Sequence, residues 1–261
     1  MKRKTAPALR AMKGKSPIVA LTAYTYPMAT FLDPFVDMIL VGDSLSMVLY
    51  GNANTLSVSL ETMIEHGKAV VRGSRQALVV IDMPFGSYEA SPQQAFANAA
   101  RVLSETGAGA VKIEGHAEMV ETAAFLVARG IPVMGHVGLR PQHINTMGGF
   151  ALQGKDEAAA RSIAESAFSL ADAGCFAVVI EGVPEALATQ ITKDISVPSI
   201  GIGASPRCDG QVLVTEDMLG LFPDFKPAFA KQYKNLRQDI QSVVENYASE
   251  VRSGTFDPKA L

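Results

Sequence analysis

Along this chain, short runs of apolar, often β-branched residues alternate with longer stretches in which apolar positions recur every three or four residues. The short runs are IVALTA from 18, DMILVG from 37, ALVVID from 77, AVKIEG from 110, IPVMGHVG from 131, FAVVIEG from 176, VPSIGIG from 197 and, with a weaker pattern, QVLV from 211. Strands that are apolar almost throughout are buried on both faces, as parallel strands wrapped by helices are. Between them, SPQQAFANAARVLSETG offers Ser91 as N-cap, Pro92 at the first helical position and Gly107 as its end; DEAAARSIAESAFSLADAG ends in the same way at Gly174. Seven or eight such units predict an α/β fold of the (β/α)8 TIM-barrel type, with an open doubly wound sheet as the alternative.

After QVLV the pattern changes. The stretch FAKQYKNLRQDIQSVVENYASEVRSG predicts a long amphipathic helix that either caps the barrel or packs on a neighbouring subunit. No repeat, low-complexity tract or Pro/Gly/Ser-rich linker divides the chain, so residues 1–261 read as one barrel domain with C-terminal helices from about 227.

Composition narrows the function. A net charge of −3 and pI near 5.8, with no basic cluster interleaved with aromatics, exclude a nucleic-acid partner. No apolar run reaches the ~18 residues of a membrane span. The basic opening MKRKTAPALRAMKGK does not read as a secretory signal; an amphipathic helix around Ala8 to Lys13 is favoured over a transit peptide. Cys175 and Cys208 have no metal-ligand spacing, which fits a reduced, cytoplasmic setting.

In such a barrel the active site lies at the carboxyl ends of the strands. Asp43 follows the second strand, Asp82 ends the third, Lys112 and Glu114 the fourth, His136 falls in the fifth and Glu181 ends the sixth. Alternation puts Lys112 and Glu114 on the barrel-facing side, with Val111 and Ile113 opposite. Taken singly, each has an ordinary reading: a turn-forming Asp, a core His, a Glu capping the helix near Pro184. Together, four carboxylates and a lysine at one barrel mouth are costly to bury without a compensating ion or substrate. Three carboxylates without a cysteine form a hard oxygen environment suited to Mg²⁺ rather than zinc. A chelating 2-oxo acid suits such an ion, with Lys112 neutralising the charge that develops when a proton leaves the neighbouring carbon and Ser44 holding the substrate carboxylate. His66, within a helical pattern, reads as structural, and His116 and His143 have no evident partner. GIGAS lacks the spacing of a dinucleotide fingerprint.

Almost the whole chain, from LTAYTYP to YASEVRSG, resembles the ketopantoate (3-methyl-2-oxobutanoate) hydroxymethyltransferase family. The motifs that carry the resemblance are VGDSL, HGKAVVRG, DMPFGSY, A..VKIEG, IPVMGHVGL.PQ, GGF..QGK, VIEGVP and IGIGA...CDGQVLV. That family is similar to the phosphoenolpyruvate mutase and isocitrate lyase barrels. The resemblance implies Mg²⁺ and transfer of a one-carbon unit from 5,10-methylenetetrahydrofolate to 3-methyl-2-oxobutanoate, giving 2-dehydropantoate in pantothenate biosynthesis. It also implies Asp43, Asp82 and Glu114 around the metal, Asp43, Ser44, Asp82 and Lys112 at the substrate, Glu181 as general base, His136 as a site neighbour, and a homodecamer.

Several positions depart from the family's usual pattern: Thr25, Ser46, Asn54 and Ser57 within NTLSV, Gly182 and Ser205. A serine in place of glycine at 46 or 205 matters where the backbone takes a positive φ or approaches a ligand. Two other functions therefore stand beside the transferase: a paralogous Mg²⁺-dependent aldolase or lyase acting on a different 2-oxo acid, and a non-catalytic metabolite-binding protein.

Overall fold

The computed structural model describes residues 3–222 and 229–258. The chain divides into two compact units, Met1–Leu213 and Val214–Leu261.

The first unit is the barrel. In chain order it contains α1 (Ala6–Arg10), β1 (Ile18–Thr22), α2 (Tyr26–Leu32), β2 (Met38–Val41), α3 (Leu45–Val48), α4 (Leu60–Gly73), β3 (Leu78–Asp82), α5 (Pro92–Thr106), β4 (Ala110–Glu114), α6 (Val120–Val127), β5 (Val133–Gly138), α7 (Ile144–Met147), α8 (Glu157–Asp172), β6 (Ala177–Glu181), α9 (Glu185–Asp194), β7 (Ser199–Ile202) and β8 (Gly210–Leu213). The strands pair in sequence order, all parallel, and β8 closes on β1, so the open-sheet alternative is excluded.

Alternation sorts the strand residues into two cores. Ile39, Val41, Val79, Ile81, Val111 and Ile113 face the surrounding helices. Ala20, Met38, Leu40, Leu78, Val80, Ala110, Met134, Val179 and Ile200 fill the lumen, and Ala6 and Leu9 of α1 join this inner cluster. Ile18, which opens β1, belongs to the same cluster, so α1 closes the amino end of the barrel. The opening helix therefore exists, shifted from 8–13 to Ala6–Arg10, because Thr5 caps it by accepting from Ala8 N–H and Pro7 lies in its first turn.

Cap signals hold closely elsewhere. Ser91 Oγ accepts from Gln94 N–H at 3.1 Å, and Asp156 Oδ1 accepts from Ala159 N–H at 2.9 Å. Gly107 and Gly174 end their helices with φ of 76° and 97°.

The second unit contains α10 (Thr215–Leu219) and α11 (Leu236–Ser253). The amphipathic helix begins at Leu236 rather than at Phe229. Tyr233 N–H is taken by the Met218 carbonyl at 2.9 Å, a bond a continuing helix would not allow. The boundary expected near residue 227 lies outside the described residues. Among the described residues, no helix is long and apolar enough to cross a membrane.

Candidate active site

The polar residues singled out along the strands meet at one end of the barrel. Asp43, Asp82, Lys112, Glu114 and His136 are each no more than 4 % exposed. They are brought together by register: Asp82 is paired with Lys112, Glu114 with His136, and Gly138 with Glu181.

The turn after β2 explains the unusual end of that strand. A side chain at Gly42 would place its Cβ 2.7 Å from Ser44 Oγ, so glycine there leaves that hydroxyl in place beside β3. Asp43 N–H then donates to Asp82 Oδ2 at 3.1 Å. Ser44 Oγ is hydrogen-bonded to the hydroxyl of buried Tyr24 at 2.8 Å.

Lys112 Nζ lies 3.3 Å from Asp82 Oδ2 and 3.2 Å from His136 Nδ1. His136 stands between two acids, its Nδ1 3.3 Å from Glu114 Oε1 and its Nε2 3.1 Å from Glu181 Oε2. Both contacts are too oblique to satisfy the atoms fully: His136 Nε2 and Glu114 Oε1 have no well-aligned hydrogen bond, and Asp82 Oδ1 has none either.

Electrostatics follow from four carboxyl groups around one ammonium. Burial, then the charges of Asp82 and Glu114, push Asp43 up to about 8. Burial likewise raises Asp82, against the pull of Lys112. Burial acts to raise Glu114 too, but His136, Lys112 and the Gln142 N–H outweigh it and hold the carboxyl below its ordinary value. Burial opposes the charge on Lys112, yet the surrounding acids keep it fully charged, with its pKa raised. For His136, burial and Lys112 press downward, and contacts with Glu114 and Glu181 leave it raised.

A hard divalent cation fits this donor set. Among the described residues Asp82 Oδ1 is a buried oxygen with no hydrogen-bond partner, Glu114 Oε1 has only the oblique contact with His136, and carboxyl groups outnumber the cationic ones. Among the described residues, no three His, Cys, Asp or Glu side chains stand together at metal-ligand geometry. Mg²⁺ sites commonly take few direct protein ligands and leave positions for water and substrate.

Three residues at this site were not singled out from the sequence. Tyr24 buttresses Ser44, Gln142 binds the carboxylates of Asp43 and Glu114, and Tyr88 bonds the Gln142 amide and the Glu114 main chain. Their only signal was membership of the motifs LTAYTYP, DMPFGSY and GHVGL.PQ. The remaining histidines stand apart. His66 is structural, its Nδ1 bonded to the Tyr24 carbonyl at 2.6 Å and its Nε2 to Tyr50 OH at 2.7 Å. His143 contacts Arg140, which pairs with Glu118, the acceptor of His116 N–H, outside the acid cluster.

The departures from the family pattern are accommodated without strain. Among the described residues no non-glycine has a positive φ. Ser46 lies inside α3, fully buried, and donates to the Asn54 carbonyl at 2.6 Å; its Oγ and that of Ser57 both accept from Asn52 Nδ2. Thr25 caps α2, and Ser205 bonds Thr189 Oγ1 and Arg207 N–H.

A closed parallel barrel carrying buried acids and a charged lysine on its carboxyl-end strand tips defines the class: a (β/α)8-barrel enzyme. Residues 3–259 match the family described as ketopantoate hydroxymethyltransferase, and the chain belongs to that family of transferases. Relatives named 3-methyl-2-oxobutanoate hydroxymethyltransferase include one from Paracoccus denitrificans (60 % identical, covering 95 % of this chain and 90 % of the relative). Another is from Rhodospirillum rubrum (58 % identical, 95 % and 90 %). Among solved structures, 2,3-dimethylmalate lyase, described as a PEP mutase/isocitrate lyase superfamily member, superposes with a TM-score of 0.62 at 16 % identity, covering 98 % of this chain and 91 % of that one. Phosphonopyruvate hydrolase does so with 0.65 at 14 % identity, covering 99 % and 90 %. These two likenesses are of fold.

Proposed function

We propose that this enzyme transfers a hydroxymethyl group from 5,10-methylenetetrahydrofolate to 3-methyl-2-oxobutanoate, giving 2-dehydropantoate, in a reaction that depends on Mg²⁺. The observation that carries this reading is the excess of buried carboxyl groups around Lys112, in a chain 60 % identical to a relative named for this transfer. Asp43 and Asp82, with Glu114 beside them, would hold the ion, which supplies Lewis-acid polarisation to the bound 2-oxo acid.

The chain's own groups divide the rest of the work. Ser44, fixed by Tyr24, holds the substrate carboxylate. Glu181 removes the C3 proton onto its carboxylate, and His136, 3.1 Å away, orients that carboxylate. Lys112, kept charged by its acidic neighbours, neutralises the negative charge that spreads onto the substrate carbonyl oxygen. The C3 carbon then forms its new bond to the folate-borne one-carbon unit, and with the uptake of water the hydroxymethyl product and tetrahydrofolate leave.

A homo-oligomer, decameric by family resemblance, is supported by α11, whose Ile240, Val243, Val244, Tyr247 and Val251 are each at least 48 % exposed along one face. Buried free Cys175 and Cys208 support a cytoplasmic setting.

Proton NMR of 3-methyl-2-oxobutanoate in D₂O with the enzyme, Mg²⁺ and 5,10-methylenetetrahydrofolate tests the reading. Hydroxymethyl product and loss of the C3 proton signal are expected. Turnover of another 2-oxo acid with rejection of this one would replace it by the lyase-type alternative.

A further inference from the structure

Gln142 ties the active end of the barrel together. It sits in the 3₁₀ turn Pro141–His143 that follows β5 and is 3 % exposed. Its Nε2 donates to Asp43 Oδ2 at 2.9 Å and to the Met83 carbonyl at 2.9 Å. A carbonyl can only accept, so the Met83 contact fixes which end of the amide is nitrogen. The other end, Oε1, accepts from Tyr88 OH at 2.6 Å, and the Tyr88 oxygen accepts in turn from Glu114 N–H at 3.1 Å. Finally, Gln142 N–H donates to Glu114 Oε2 at 3.1 Å.

A single residue leaving β5 thus grips a carboxylate beyond β2, the main chain beyond β3 and a carboxylate at the end of β4. It takes only one oxygen from each acid. Among the described residues Asp82 Oδ1 has no hydrogen-bond donor, and Glu114 Oε1 has only the oblique contact with His136. Because an amide is neutral, it orients both carboxylates without cancelling the charge that would attract a cation. A lysine in its place would compete with that cation, and a glutamate would repel the two acids.

From this geometry we infer that Gln142, its amide aligned by Tyr88, is a positioning residue that pre-sets Asp43 and Glu114 for a divalent cation. The inference rests on the Mg²⁺ reading above and extends it to residues that set the affinity of the site without holding the ion. Partners of this kind typically govern metal affinity by about 10–100-fold.

The test is metal binding by the full chain: Mg²⁺ by calorimetry and Mn²⁺ by electron paramagnetic resonance, for wild type, Gln142→Leu and Tyr88→Phe. Gln142→Leu is expected to weaken both metals about 10–100-fold. Tyr88→Phe keeps the buried ring and is expected to weaken them in the same direction by less, with a folded, cooperatively melting protein. If Gln142→Leu does not fold, Tyr88→Phe decides. Wild-type affinity in the folded variants overturns the inference and leaves the Mg²⁺ reading standing. Failure of the wild type itself to bind either metal at millimolar concentration overturns both.

Discussion

Glu181 Oε2 lies 3.1 Å from His136 Nε2, on the side of the imidazole away from Glu114 and Lys112. In the mechanism proposed above, the two carboxylates flanking the ring have different tasks: Glu114 stands beside the cation, and Glu181 takes the substrate's proton. Glu181→Gln should keep the shape and lose the base. We expect C3 proton exchange of the 2-oxo acid to fall by about 10²–10⁴-fold, with Mg²⁺ affinity unchanged. Full exchange activity in this variant would remove Glu181 from the role of base.

Lys112 opposes the same acids that attract a cation, so its removal should split two readouts. Lys112→Met leaves Asp43, Asp82 and Glu114 with less positive charge nearby. Mg²⁺ should bind at least as tightly, while kcat drops by about 10²–10³-fold, as for loss of a preorganised charge at a developing oxyanion. Calorimetry beside steady-state kinetics checks both arms; weakened metal binding would contradict the assignment.

Asp33 organises the approach to β3. Its carboxylate accepts from Ser74 Oγ at 2.7 Å and from the N–H groups of Arg75, Gln76 and Ala77 at 2.9–3.1 Å. Burial works to raise its pKa, but these donors outweigh it and hold the carboxyl below the ordinary range. A depressed carboxyl contributes stability that is present above the unfolded pKa and is lost as pH falls through the lower folded value. Asp33→Ala should cost about 2–3 kcal/mol at neutral pH, and the difference from wild type should shrink in strong acid, measured by chemical denaturation across pH.

Glu216 has the opposite sign. It is buried, its Oε2 has no hydrogen-bond partner among the described residues, and burial raises its pKa to about 7. Its favourable state in the fold is the protonated one, so stability is fullest below the ordinary glutamate value and declines as pH rises from there to about 7. Glu216→Gln should raise stability at pH 8 by about 2 kcal/mol and do little at pH 4. Equal melting shifts at the two pH values would contradict this account.

Ser46, Asn52 and Ser57 knit the segment after α3 back onto that helix. Ser46→Ala leaves the Asn54 carbonyl without its donor. We expect faster hydrogen exchange over residues 52–57, with the barrel strands unaffected.

The strand tips were legible because charged residues interrupt otherwise apolar strands at a period of two, a conflict with burial that only a site resolves. Lys112 and Glu114 show this most plainly. Gln142, Tyr88 and Tyr24 were not legible in the same way. A glutamine after proline and a tyrosine after serine belong to any loop, and their importance comes from contacts 20 to 99 residues distant. Helix α11 was found by its periodicity but begun too early, since nothing local announces that Tyr233 N–H is committed to Met218.

The helix that stoppers the amino end of the barrel, with Ala6 and Leu9 set against the lumen, seals the side of the lumen opposite the charged floor. Below that floor lie Met38, Leu40, Leu78, Val80, Met134 and Ile200, apolar side chains that do little to blunt the pull of Lys112 or the acids around it. The insulation that makes these charges costly to bury is also what lets them act on a substrate at full strength.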